Sequence, residues 1–141
     1  MNTPISDLGE FGLIRKLTEQ FAITSPSRVR MAVGDDAAIL QMQPDEELLI
    51  TTDMLLEGVH FDMTYMPLKH LGYKAVVVNV SDICAMNGIP QQITVSLGIS
   101  AKYTTEMLEE LYKGIELACQ HYQVDLVGGD TCASRNGLAI S

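Results

Sequence analysis

The clearest periodicity in the chain runs over residues 104–122, where Leu108, Leu111, Ile115, Ala118 and Tyr122 recur at steps of three and four. That spacing puts them on one face of an α-helix, and Glu106, Glu109 and Glu110 near its start favour the helix dipole. A second helical pattern covers residues 68–86 and stops at Asn87-Gly88 and Pro90. Val76-Val77-Val78 inside it would suit a strand, but the length of the segment favours the helix. Residues 9–21 set Phe11, Ile14, Leu17 and Phe21 at helical spacing, predicting a short amphipathic helix, and a loop follows over 23–30. Apolar runs at 29–33, 37–42 and 48–52 are separated by Gly-Asp-Asp and Gln-Pro-Asp-Glu-Glu. Both separators carry turn chemistry, so the runs read as strands. Residues 92–99 alternate like a strand, 124–127 form an apolar run ending at Gly128-Gly129-Asp130, and 138–141 begin another strand. Strands mixed with two longer helices predict an α/β or α+β domain.

The 141 residues make one domain's worth of chain, and 47% hydrophobic against 19% charged residues leaves enough apolar material for a core. Nine Lys and Arg against 18 Asp and Glu give a net charge of −9. This balance argues against a nucleic-acid or anionic-membrane surface, which needs clustered cations, and any phosphate ligand must bring its own. Cys84, Cys119 and Cys132 are odd in number and form no Cys-x-x-Cys pair, so neither a disulfide framework nor a thiolate zinc site is signalled. A reducing cytoplasm fits. The start of the chain lacks a secretory pattern, and no apolar run approaches a bilayer span.

Candidate chemistry lies in the aspartates. Asp35-Asp36 follows Val33-Gly34, Asp53 follows residues 49–52, and Asp130 follows Leu126-Val127-Gly128-Gly129. Each closes an apolar run, and strand ends with adjacent glycines are where bulky anions reach the backbone. The plainer account is that Asp and Gly make turns there. Asp82 shares a helical stripe with Leu71, Ala75, Val78 and Ala85 and so is expected to face the core. A carboxylate so placed must be ion-paired, for instance to Lys74, or bound to a metal. Hard oxygen ligands without clustered Cys or His point to Mg²⁺, and Thr51 and Thr52 beside Asp53 would add oxygens. P-loop, dinucleotide-fold and protein-kinase signatures are absent from the sequence. His60, shortly after Asp53, is a candidate substrate contact, while Tyr112 is expected to be half-exposed packing.

The stretches GEFGLI (9–14), GDDAAIL (34–40), TTDMLLEGVHF (51–61), LGYKAVVVNVSDICAMNGIP (71–90) and LVGGDT (126–131) together resemble bacterial thiamine-monophosphate kinase. That family belongs to the group holding aminoimidazole-ribonucleotide synthetase and selenophosphate synthetase. The resemblance implies an α+β fold, a mixed sheet with flanking helices, whose sheet pairs with a twofold mate to close a dimeric β-barrel. It implies transfer of the γ-phosphoryl group of ATP to thiamine monophosphate, with several Mg²⁺ ions bridging the phosphates. By the same resemblance Asp36, Asp53, Asp82 and Asp130 look like metal ligands, with Thr51 and Thr52 adding oxygens. Of the Asp35-Asp36 pair, the resemblance assigns Asp36. Gly129, Asp130 and Tyr112 look like ATP-contacting positions and His60 like a substrate contact.

Such a transfer is mostly positioning and charge neutralisation, with no strong general base required. Cys84 and Asn87-Gly88 depart from the family pattern without touching a proposed ligand. Members of the family are roughly twice as long, so the chain is expected to be an N-terminal domain (1–141) with little or no turnover by itself. Leu49, Ile50, Val95 and Leu97, read as strand residues that must be covered, are the sequence's support for a homodimer. Two other readings stand beside this one. A sister enzyme would use the same aspartates, although selenophosphate synthetase would be expected to carry a nucleophilic Cys before Cys84. A non-catalytic dimerisation or metal-binding module would use them only as turns and caps.

Overall fold

A computed structural model describes residues 4–34 and 37–141. Along the chain it places α1 (Gly9–Thr18), β1 (Val29–Met31), β2 (Ile39–Leu40), β3 (Leu55–Leu56), α2 (Leu68–Ala85), β4 (Gln92–Ile99), α3 (Thr105–Tyr122), β5 (Asp125–Ala133) and β6 (Leu138–Ile140). β1 and β2 form a separate antiparallel ribbon, and the main sheet has the order β3-β6-β4-β5. β4 and β5 are parallel neighbours joined through α3, whereas β6 runs antiparallel to both β3 and β4. The result is a mixed sheet with flanking helices, as expected. The described residues form no closed barrel.

Alternation along β4 buries Val95, Leu97 and Ile99 on one face. These join Leu71, Val76 and Val80 of α2, Leu108, Leu111, Ile115 and Ala118 of α3, and Leu138 and Ile140 of β6 in one apolar cluster. Thr104 caps α3 by accepting the Met107 N–H, and Gln123 in the left-handed region ends it. Asn87, also left-handed, follows the end of α2 where Asn87-Gly88 signalled a stop. The two helices approach closely. A Cβ on Gly114 would lie 1.9 Å from the Lys69 carbonyl oxygen, and one on Gly72 would lie 2.0 Å from that of Leu111.

Several expectations need correction. Residues 48–52 form no strand; they find no ladder partner, and Leu48 and Ile50 are 60% and 81% exposed. Strand propensity without a neighbouring edge does not make a strand. Val95 and Leu97, by contrast, are already covered by this chain's own core. β5 runs through Gly128-Gly129-Asp130 instead of stopping there, because β4 supplies a parallel ladder along its whole length. That ladder skips Val127, pairing Ile93 with Leu126 and Thr94 with Gly128. Gly129 then sits so close to β4 that a Cβ would meet the Val95 carbonyl oxygen at 2.0 Å. In α1 the buried pair is Leu13 and Leu17, and Phe11 is 82% exposed, so the packed face is rotated from the predicted one.

Candidate functional site

Residues 51–53 belong to no helix or strand, and a polar contact holds each of them. Thr51 Oγ1 donates to Asp82 Oδ2 of α2 at 3.1 Å. Thr52 Oγ1 lies 3.2 Å from Ser141 Oγ. The Asp53 N–H donates to Asn79 Oδ1 at 3.0 Å. Ser141 in turn exchanges backbone hydrogen bonds with Ser96, at 2.6 and 2.9 Å, and Ser96 stands opposite Asp130 in the β4–β5 ladder. Directly paired strand residues point to the same face. Thr52, Ser141, Ser96 and Asp130 thus form a polar row on the sheet face that α2 and α3 leave open. The Asp130 carboxylate also accepts its neighbour Thr131's N–H at 2.8 Å.

Asp82 does not face the core. It is exposed, because the buried face of α2 is Leu71, Gly72, Val76 and Val80, and past Val80 little of the helix is covered. Nor is Lys74 its partner, since Lys74 Nζ donates to the His60 carbonyl oxygen at 2.9 Å. His60 follows a turn in which its Nδ1 accepts the Leu56 N–H at 3.0 Å. In the neutral ring the proton is then on Nε2, a donor free to meet an anion. Tyr112 is buried rather than half-exposed, packed edge-on against Phe21 at 6.2 Å between ring centroids, and burial pushes its phenol up to about 12. The Asp35-Asp36 pair lies outside the described residues. Among the described residues, no three His, Cys, Asp or Glu side chains gather as a metal cage.

Three residues matter here that the sequence reading passed over. Asn79 is a lone amide in an apolar helical run. Asp125 is a carboxylate within the apolar strand 124–127, and its burial is the sort of signal that drew attention to Asp82. Glu57 accepts from Lys102, from Tyr103 Oη at 2.7 Å and from the Leu138 N–H at 2.9 Å, fastening the turn that leads to His60. Burial raises the Glu57 carboxyl, but these bonds outweigh it and hold the group below its ordinary value. Its ionised form therefore contributes stability that is present above the ordinary glutamate value, about 4.3, and lost as pH falls through the depressed folded one. In urea unfolding at stepped pH, wild type should lose stability between about pH 5 and pH 3 more steeply than Glu57→Gln. Parallel curves would show that the clamp contributes nothing.

The sequence profile of the AIR synthase related protein, N-terminal domain, matches residues 34–141. The chain belongs to that family. Among curated relatives, the thiamine-monophosphate kinase of Bacillus subtilis (strain 168) is 35% identical over 134 residues, 95% of this chain and 41% of that protein. The crystal structure of thiamine-monophosphate kinase from Stenotrophomonas maltophilia K279a superposes with a TM-score of 0.76 at 30% identity, covering 94% of this chain and 41% of that one. A structure described as AaThiL complexed with AMPPCP and TMP gives 0.65 at 35% identity, covering 96% and 40%. This AIR synthase related domain thus spans about two fifths of the length of the curated relatives it matches.

The described donors of the domain are hydroxyls and carboxylates, with Thr51 and Asp82 in contact. Such a set suits Mg²⁺ in its usual mode, in which one or two carboxylates hold the ion and substrate phosphates complete its shell.

Proposed function

We propose that this chain is the N-terminal domain of an ATP-dependent kinase that phosphorylates thiamine monophosphate to thiamine diphosphate. The observation that carries the reading is the tethering of residues 51–53 to α2, which sets the Thr51 hydroxyl against the Asp82 carboxylate at 3.1 Å. The kinship with thiamine-monophosphate kinases at 35% identity supplies the chemistry. In this reading Asp53, Asp82 and Asp130, with Thr51 and Thr52, hold Mg²⁺, and Asp36 joins them by resemblance alone. Bound Mg²⁺ would screen the charge of the two phosphate esters, whose approach a domain of net charge −9 otherwise opposes. Gly129 lets β5 pack directly against the β4 backbone beside Asp130, and in this reading His60 Nε2–H donates to the acceptor phosphate. Tyr112 remains a packing residue. The protein's work is alignment of two phosphates, so no side chain is assigned as a strong base.

A thermal-shift titration with MgCl₂ and AMPPCP tests this. Ligand at 100 times its Kd stabilises the folded state by about 2.7 kcal/mol, so a rise in melting temperature that needs both components is expected. Asp82→Asn should abolish it, and added thiamine monophosphate should increase it, a response that its sister enzymes would not share. Failure of AMPPCP with Mg²⁺ to shift the folded wild-type protein would overturn the proposal.

The same reading makes the chain a homodimer working in the reducing cytoplasm, where Cys84 and Cys132 remain exposed free thiols. Ile39, Leu40, Leu48, Ile50 and Met54 are exposed apolar side chains that a second copy would cover. Light scattering should give twice the chain mass, and Ile50→Asp should halve it. A wild-type monomer at high micromolar concentration would exclude the dimer.

A further inference from the structure

Residues 51–61 carry Thr51, Asp53 and His60, and three polar side chains of α2 hold them at separate points. Lys74 Nζ holds the His60 carbonyl, Asp82 accepts from Thr51, and Asn79 accepts the N–H of Asp53. The middle contact differs from the others because it fixes backbone at a candidate ligand residue. Residues 46–54 belong to no strand, so no ladder hydrogen bond sets the conformation at Asp53. The Asn79 carboxamide takes the place of that missing partner. Its own orientation is set by the other end of the amide, since Nδ2 donates to the Ala75 carbonyl oxygen at 3.0 Å. An amide engaged at both ends holds its oxygen where Asp53 needs an acceptor.

We propose that Asn79 is a positioning residue: it fixes the backbone at Asp53 so that the Asp53 carboxylate and the Thr51 hydroxyl are presented together to a cation–phosphate ligand. This rests on the kinase reading above. Asn79 touches neither metal nor nucleotide in that reading and acts through Asp53. Outer residues that orient metal ligands commonly govern affinity by about 10- to 100-fold.

Two variants separate position from mere stability. Asn79→Ala removes the acceptor and replaces Asn by a better helix former, so the helix itself is retained. Asn79→Asp keeps an acceptor oxygen for the Asp53 N–H. Hydrogen exchange at the Asp53 amide, followed by NMR without ligand, should accelerate in Asn79→Ala and by a smaller factor in Asn79→Asp, which keeps the acceptor but loses the Nδ2 bond to the Ala75 carbonyl. Titrated with Mg²⁺ at fixed AMPPCP, Asn79→Ala should need at least about tenfold more cation, and Asn79→Asp, which keeps the acceptor oxygen, should need less than Asn79→Ala. Unchanged Asp53 exchange in Asn79→Ala would overturn the positioning role whatever the nucleotide result. So would accelerated exchange with wild-type Mg²⁺ dependence, because the ligand would then not depend on Asp53's placement. Loss of binding in wild type itself would strike at the kinase reading, and the exchange comparison keeps the two failures apart.

Discussion

Gly114→Ala is expected to lower the melting temperature of this domain by about 10 °C, equivalent to roughly 2–4 kcal/mol. The new methyl group would stand 1.9 Å from the Lys69 carbonyl oxygen, 2.8 Å from the carbonyl carbon and 2.9 Å from the Tyr73 nitrogen. All three are backbone atoms of the facing helical segment, so no rotamer change relieves the clash and α2 and α3 must separate. Separation loosens contacts that Leu71, Leu108, Leu111 and Ile115 make in the core. Helix propensity acts the other way, favouring alanine over glycine by about 1 kcal/mol, which is too small to offset the overpacking. Gly12→Ala in α1 is the internal control. There a Cβ meets only the Leu8 Cβ, at the ordinary distance of 3.5 Å, so the propensity gain should stand alone and the variant should be neutral or slightly more stable. Thermal unfolding followed by circular dichroism measures both. Equal behaviour of the two variants would mean that the helices do not cross this closely in solution.

That crossing also shows which parts of the fold the sequence disclosed. The periodicity of Leu108, Leu111, Ile115 and Ala118 lies within one segment and reports a face of α3 directly. β4 is visible for the same reason, as alternation within eight residues. What a segment meets is not written locally. Gly72 and Gly114 look like interruptions of good helices until the partner backbone is known. Residues 48–52 have strand composition but no edge to join, and β5 continues past two glycines because β4 lies alongside. The candidate site divides in the same way. Asp53, Asp82 and Asp130 stand out by type and company, yet the contact of Thr51 with Asp82 spans 31 positions, and the exposure of Asp82 follows from the buried face of α2 ending at Val80. Asn79, Glu57 and Asp125 were missed because their importance lies in the backbone N–H groups they accept, which no composition or spacing displays.

Asp125→Ala should cost about 3 kcal/mol or more, more than removing any exposed carboxylate of the candidate site. Asp125 is 1% exposed at the start of β5, and its two oxygens accept three hydrogen bonds. Thr24 gives both its N–H, at 2.7 Å, and its hydroxyl, at 2.8 Å, to one oxygen; the Ser25 N–H donates to the other at 3.0 Å. These bonds tie the loop after α1 to the sheet across 100 positions of sequence. Truncation leaves two backbone donors without an acceptor, each costing about 1–3 kcal/mol where water cannot replace the carboxylate. Asp125→Asn should recover only part of the loss, because its amide nitrogen would face one of the same donors. Cys119 supplies a second readout. Burial, reinforced by the Asp125 carboxylate, pushes its thiol up to about 12, so in the wild-type protein it should resist thiol reagents that modify Cys84 and Cys132. Urea unfolding gives the stability change, and thiol counting before unfolding shows whether the loop has opened over Cys119. A loss below about 1 kcal/mol with Cys119 still protected would mean that water satisfies the freed N–H groups. The carboxylate would then be a replaceable acceptor rather than the anchor of the loop.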